Sequence, residues 1–282
     1  MLTQVLILAG ICFTGLCLSA KCDAQKLAVL TPDGSAASWK YADELEGLLS
    51  AKTVVLDDSL SDAAFRAVAP KAPFNMTTAE ARIVGAVIGC DFFVLVKAET
   101  LRRNSFERPE YYESHGAIYV VSSRTGRLVY WSLPIFESAT PSAANNLLSK
   151  SVTKVVADVT TKIRQIQPGE AAESKPTGME GLPPENSPEA KNFRSPIPFR
   201  RIKPEYTSTA FMYDIAATVE IELDLDAGGK ILGTEIVRWA GYGLDESVEA
   251  TVRAMHWRAA ERNGKPLAMR VLLRYNFKKI DK

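Results

Sequence analysis

The strongest pattern in the chain is a strict alternation over residues 214–226 (DIAATVEIELDLD). Ile215, Ala217, Val219, Ile221, Leu223 and Leu225 fall on one side, and Ala216, Thr218, Glu220, Glu222, Asp224 and Asp226 on the other. A period of two with one polar side predicts a half-buried strand. Ala227-Gly228-Gly229-Lys230 supplies a turn, and 231–239 returns as a second strand. Leu244, Val248, Val252 and Met255 then recur at helical spacing, with Asp245, Glu246 and Glu249 early and Arg253 and Arg258 late, the charge order a helix dipole favours. After a turn at Asn263-Gly264, residues 269–277 (MRVLLRYNF) alternate again, with Val271, Leu273, Tyr275 and Phe277 inward and Arg270, Leu272, Arg274 and Asn276 outward. The carboxy-terminal part, 200–282, therefore reads strand, strand, helix, strand.

The amino-terminal part mixes periods. Residues 26–30 (KLAVL) and 53–56 read as short strands, and 39–49 as a helix with Trp39, Ala42, Leu45, Leu48 and Leu49 on one face. A helix over 79–88 stops at Gly89, and 91–98 (DFFVLVKA) is a buried strand. Strands at 117–122 and 128–132 face each other across a turn in which Gly126 can take a positive φ, and 147–166 is a long helix with Leu147, Leu148, Val152, Val155, Val156, Val159 and Ile163 on or near one stripe. The expected class is α+β/α/β in two small domains: a mixed α/β domain over 25–166 and the carboxy-terminal unit over 200–282. Between them, 167–199 holds seven of the fifteen prolines and few bulky apolar residues. Such a stretch buries too little surface to offset its ordering entropy, which predicts a flexible, extended linker between domains that move independently.

Composition narrows the function. With 34 Lys plus Arg against 33 Asp plus Glu, a net charge of +1, 46% hydrophobic and 24% charged residues, the chain is globular and has no field that would steer it to nucleic acid. Cysteines at 12, 17, 22 and 90 and histidines at 115 and 256 show no metal-ligand or thiol-redox spacing, and no motif gathers a nucleophile, a base and an orienting group. No catalytic residue, cofactor or metal is expected. Residues 5–18 (VLILAGICFTGLCL) form a short apolar run in an uncharged start, and Cys22 and Ala24 stand at the −3 and −1 places of a cut before Gln25. This is the layout of a secretory signal peptide over 1–24. Left uncut, twenty uncharged residues at ~1.5 Å each reach roughly 30 Å, enough for a membrane anchor. Cys90 reads as a small core residue. His115, beside Tyr111, Tyr112 and Glu113, reads as part of a solvated polar loop that, with Phe106, either contacts a partner or leans on the sheet.

Two resemblances follow from these motifs. The run Gly85-Ala86-Val87-Ile88-Gly89-Cys90-Asp91 leading into a strand, with the hairpin of 117–126, resembles the amino-terminal domain of TolB and the CsgG and LpoB envelope proteins, which implies a binding or assembly module. Pro204-Glu205-Tyr206 before the first strand, Asp226-Ala227-Gly228-Gly229-Lys230 at the turn, Leu244-Asp245 at the helix start and Asn263-Gly264-Lys265-Pro266 before the last strand resemble the TonB carboxy-terminal domain family. Thr207, Ala217 and Ala259 stand where that family's pattern has proline, glycine and proline. The resemblance implies a non-enzymatic periplasmic protein, or one anchored in the inner membrane and facing the periplasm. Its expected action is to hold an extended segment of an envelope or outer-membrane transport partner by β-strand addition. Residues 269–277 are the candidate edge, with Arg270, Leu272, Arg274 and Asn276 as partner-binding residues. An uncut anchor adds an inner-membrane motor as a second partner, although the anchor lacks the histidine that energy-transducing members carry. The alternative is a periplasmic scaffold or activator of an envelope enzyme, LpoB-like, with the TonB-like unit as its docking module. Oligomeric state stays open.

Overall fold

The computed structural model of the chain describes residues 25–172 and 179–279. The candidate signal or anchor, 1–24, lies outside them. The first half runs β1 (Lys26–Leu30), α1 (Ala36–Leu49), β2 (Val54–Val55), α2 (Asp58–Val68), α3 (Thr78–Ile88), β3 (Phe92–Arg103), β4 (Tyr111–Ser122), β5 (Leu128–Ser132), β6 (Ile135–Ser138) and α4 (Pro141–Ala172). The sheet order is β2-β1-β3-β4-β5, with β6 beside β5 on the same edge of β4. β1 is parallel to β2 and β3, and the rest is antiparallel.

Both faces of this sheet are covered, which explains the unbroken apolar run of β3. Leu27, Val29, Phe92, Val94, Val96, Ile118 and Val120 pack on one side with Tyr41, Ala42, Leu45 and Leu49 of α1 and Leu148, Val152, Val156 and Val159 of α4. Their neighbours Ala28, Leu30, Phe93, Leu95, Tyr119 and Val121 point to the other side, as successive strand residues must. That second core does not end with the first half of the chain.

The second half runs β7 (Phe193–Arg194), β8 (Ile197–Pro198), α5 (Ser208–Met212), β9 (Ala217–Leu225), β10 (Ile231–Arg238), α6 (Leu244–Arg253), β11 (Trp257–Arg258), β12 (Ala260–Arg262), β13 (Lys265–Leu267) and β14 (Met269–Phe277). Its main sheet has the order β10-β9-β14. Helices and several separate sheets are therefore mixed in one chain. Val219, Ile221, Leu223 and Leu225 of β9 and Leu244, Val248 and Val252 of α6 join the same core as Phe93, Leu95 and Tyr119. Tyr119 sits at the join, with ring centroids 5.8 Å from Trp239 and 5.4 Å from Phe74, and its hydroxyl donates to the Ala240 carbonyl at 3.3 Å. Asn75 clamps the halves: its amide donates to the Thr218 and Trp239 carbonyls at 2.8 and 2.7 Å and accepts from the Thr218 N–H at 3.0 Å. The Trp239 indole donates to the Gly126 carbonyl at 3.1 Å.

Four expectations are corrected. The halves are not joined through 167–199 alone, because they share this core. The described part of 167–199 is not a free linker: α4 runs on to Ala172, Glu180 bridges to Met269, β7 pairs β12 and β8 pairs β11. Backbone pairing to the second half supplies what its side chains cannot. His115 and its neighbours are not a loop but the first half of β4; His115 is 4% exposed, its ring 4.5 Å from that of Tyr213. Burial holds its imidazole below the usual histidine range, with Glu113 opposing. In α1, Tyr41 takes the inner place expected of Trp39 and Leu48, which are both exposed. Cys90 is buried beside Ser123, and burial raises its thiol.

Candidate partner-binding edge

β14 pairs with β9 in antiparallel register over its whole length, from Met269↔Leu225 to Phe277↔Ala217. In such a ladder the main-chain groups of alternate residues point to the partner and away from it. The Arg270 N–H points away from β9, since it donates to the Glu180 carbonyl at 2.8 Å. By the same alternation Leu272, Arg274 and Asn276 turn their N–H and C=O outward. Among the described residues, the bridge at Glu180 is the only pairing on that side of β14. The free edge is therefore the stretch from Leu272 to Asn276.

The four expected partner-binding residues share the outer face. Each has a cross-strand neighbour on β9. Arg270 lies opposite Asp224 and forks onto its carboxylate at 2.7 and 2.8 Å; Arg274 lies opposite Glu220 and donates to it at 2.7 Å. Asn276 accepts from the Thr218 hydroxyl at 2.8 Å, while Leu272 is 48% exposed. The two arginines hold β14 to β9 and place a charge on an open edge, a feature that discourages self-pairing. Arg274 remains mostly exposed, and Glu220 is shared with Arg238 at 3.5 Å.

The inner face opens differently. α6 packs on β9 and β10, and under β14 lies a groove of about 460 Å³. Val271, Leu273 and Tyr275 form one wall, the strap of Pro196, Ile197, Pro198 and Ile202 the other, and Met255 and Trp257 the floor. Arg201 and Lys203 stand exposed at the rim. The Trp257 indole is 4% exposed and its N–H has no acceptor among the described residues. Sequence reasoning missed the strap, reading its prolines as linker. The four bulky apolar residues Phe193, Ile197, Phe199 and Ile202, spread among polar residues and prolines, were the available signal.

A second hollow of about 360 Å³ lies between β5 and the start of α6, lined by Trp131, Trp239, Asp245 and Glu249. Asp245 accepts the N–H groups of Ala240 and Gly241. Burial nevertheless pushes its carboxyl up to about 7. Among the described residues no group of three or more His, Cys, Asp or Glu could hold a metal, and no helix is long and apolar enough to cross a membrane.

The order β10-β9-β14, the turn after β9 and the long edge strand β14 resemble features of known proteins. Residues 202–278 match the family of the Gram-negative bacterial TonB protein C-terminal. No curated protein matches the chain. Among solved structures, the TonB C-terminal domain of Pseudomonas aeruginosa is 18% identical, with 38% of this chain and 99% of that one covered, at a TM-score of 0.28. Lipoprotein GNA1162 from Neisseria meningitidis is 14% identical, covering 49% and 99%, at a TM-score of 0.35. The LpoB C-terminal domain from Salmonella enterica is 11% identical, covering 41% and 84%, at 0.28.

Proposed function

We propose that the protein is a non-enzymatic component of the bacterial cell envelope that holds an extended segment of an envelope or outer-membrane partner by adding it to β14. The single observation that carries this reading is the free edge from Leu272 to Asn276. Three consecutive outward-facing residues leave their main-chain groups unpaired among the described residues, beside an apolar groove and on the segment that matches the TonB C-terminal family. Main-chain hydrogen bonds to such an edge supply affinity for any extended chain, and the flanking side chains supply choice. The match favours the envelope, and the signal-peptide layout expected of 1–24 favours its periplasmic side. The shared core ties this edge to the first half.

Proline tests the reading directly. Leu272 donates outward, so Leu272→Pro removes an edge donor without touching the ladder to β9, and proline is tolerated at edges. A photo-crosslinker at position 272 in the native host identifies the captured segment. The isolated segment should slow amide exchange at Leu272, Arg274 and Asn276, and bind Leu272→Pro about tenfold more weakly, the loss of one hydrogen bond of about 1.4 kcal/mol. A segment that binds while leaving these amides unprotected would overturn strand addition.

A further inference from the structure

We propose that the groove beneath β14 is an anchor site for one large apolar side chain of the added strand, and that this side chain selects which segments the edge accepts. The inference rests on the strand-addition reading and goes beyond it, because main-chain pairing by itself is blind to sequence.

The register fixes where the anchor falls. A segment paired with the outward groups of Leu272 and Arg274 places its intervening residue opposite Leu273, and residues directly opposite share a face. That face is the groove side. Val219, Ile221 and Leu223 of β9 have no exposure at all, covered from below by α6, whereas Leu273 and Tyr275 of β14 are only half-buried. The sheet's inner face is thus complete under β9 and unfinished under its edge strand. At about 460 Å³ the space lies within the range that binds discrete ligands. Its walls and floor are apolar, which favours Phe, Trp, Met or Leu over a small or polar residue.

Charge at the rim refines the occupant. Arg201 and Lys203 stand on the rim with no ion pair among the described residues, so a carboxylate two positions from the anchor, on the same face, is favoured there and a lysine or arginine is opposed. The partner is therefore an extended peptide with one large apolar residue and an acidic one two positions from it, on the same face of the added strand.

The test is a pool of randomised nonapeptides selected on the full chain, each recovered binder being checked for amide protection along β14. Binders that protect Leu272, Arg274 and Asn276 should be enriched in a large apolar residue at one position, and alanine there should weaken binding at least tenfold. Ile197→Asp, which places a charge in the groove wall at a 42% exposed position, should weaken the parent peptide to the same extent and leave its alanine version unchanged. Ile202→Asp repeats the measurement should Ile197→Asp disturb folding. Binders that protect β14 with no preferred side chain, or that ignore both wall variants, overturn the anchor site and leave strand addition standing. A pool that yields no β14-protecting binder overturns the edge reading and the anchor with it.

Discussion

Replacing Asn75 by alanine separates a shared core from two modules on a tether. The side chain makes three hydrogen bonds across the join, two donated to the Thr218 and Trp239 carbonyls and one accepted from the Thr218 N–H, at 2.7 to 3.0 Å. Each ordinary hydrogen bond contributes about 1 kcal/mol net, and stranding a buried partner costs about 1–3 kcal/mol. Asn75 is half-buried, so water recovers part of the loss, and the expected destabilisation is about 3 kcal/mol. At 2–4 °C per kcal/mol for a domain of this size the midpoint should fall by roughly 6–12 °C. The assay is denaturant unfolding of the full chain followed at once by tryptophan fluorescence and far-ultraviolet circular dichroism. Trp239 and Trp131 lie near the join and report its integrity. Native and variant chains should each give one coincident transition, shifted to lower denaturant in the variant. Two transitions in the native chain, or a variant within about 0.5 kcal/mol of it, the usual spread for surface substitutions, would refute the shared core.

Further consequences follow from single positions. Gly126 has φ +72°, and a Cβ there would lie 1.9 Å from the Thr78 carbonyl oxygen, whereas Gly34 has φ +61° with open space around it. Gly34→Ala should cost about 1 kcal/mol from backbone strain alone, and Gly126→Ala several times that, read by thermal unfolding of the two variants side by side. Asp245, at about 7, keeps a proton in the folded state that it has lost in the unfolded chain above its ordinary value of 3.8. Its contribution to stability is therefore fully present below about pH 4 and is lost as pH rises to about 7, a fall of at most about 4 kcal/mol at 1.36 kcal/mol per pH unit. Asp245→Asn should flatten the stability profile between pH 4 and 7, and an unchanged slope would show that another group carries it.

The regular elements were legible wherever one period held over several residues. The strict alternation of β9 and β14 gave both strands and their inward faces, and the Gly89 and Gly126 turns appear with φ of +78° and +72°. Failures cluster where tertiary contact overrides local pattern. α2 buries only Ser61 and Phe65, too few to mark a helical stripe, although Asp57 caps its start. Tyr111 to His115 look polar, yet all pair with β3 and Tyr112 to His115 also with β6, and Tyr213 from the other half packs against His115. Alternation separates Arg270, Leu272, Arg274 and Asn276 from the inward residues of β14, but the carboxylates of Asp224 and Glu220 opposite the two arginines needed the register, which alternation alone does not fix. The groove was invisible because its second wall comes from residues more than fifty positions away, on a segment whose composition argues against order. Composition measures what a segment can bury by itself, and β7 and β8 are held by edges that belong to other strands.

Glu220 joins the edge to the rest of the molecule. It is 5% exposed and accepts from Arg274 on β14 at 2.7 Å, while its other oxygen lies 3.5 Å from Arg238 on β10. Arg238 in turn donates to the Asn75 carbonyl at 2.9 Å and lies 3.9 Å from Glu80, whose carboxylate closes the capping box of α3 with Thr77. Charges thus run in contact from the free edge to the first turn of a helix in the other half. Glu220→Gln keeps the shape and removes the charge. Arg274, mostly exposed, is rehydrated at little cost, but Arg238 loses its neighbour in a half-buried site and turns towards Glu80 and the Asn75 carbonyl. The expected loss is about 1–2 kcal/mol, below the 3–5 kcal/mol of a fully buried pair because both arginines reach solvent. Amide exchange decides between a local and a connected role: it should quicken in β14 and also in the first turn of α3, on opposite sides of the join. Faster exchange confined to β14 would show that the edge is fastened to its own sheet alone.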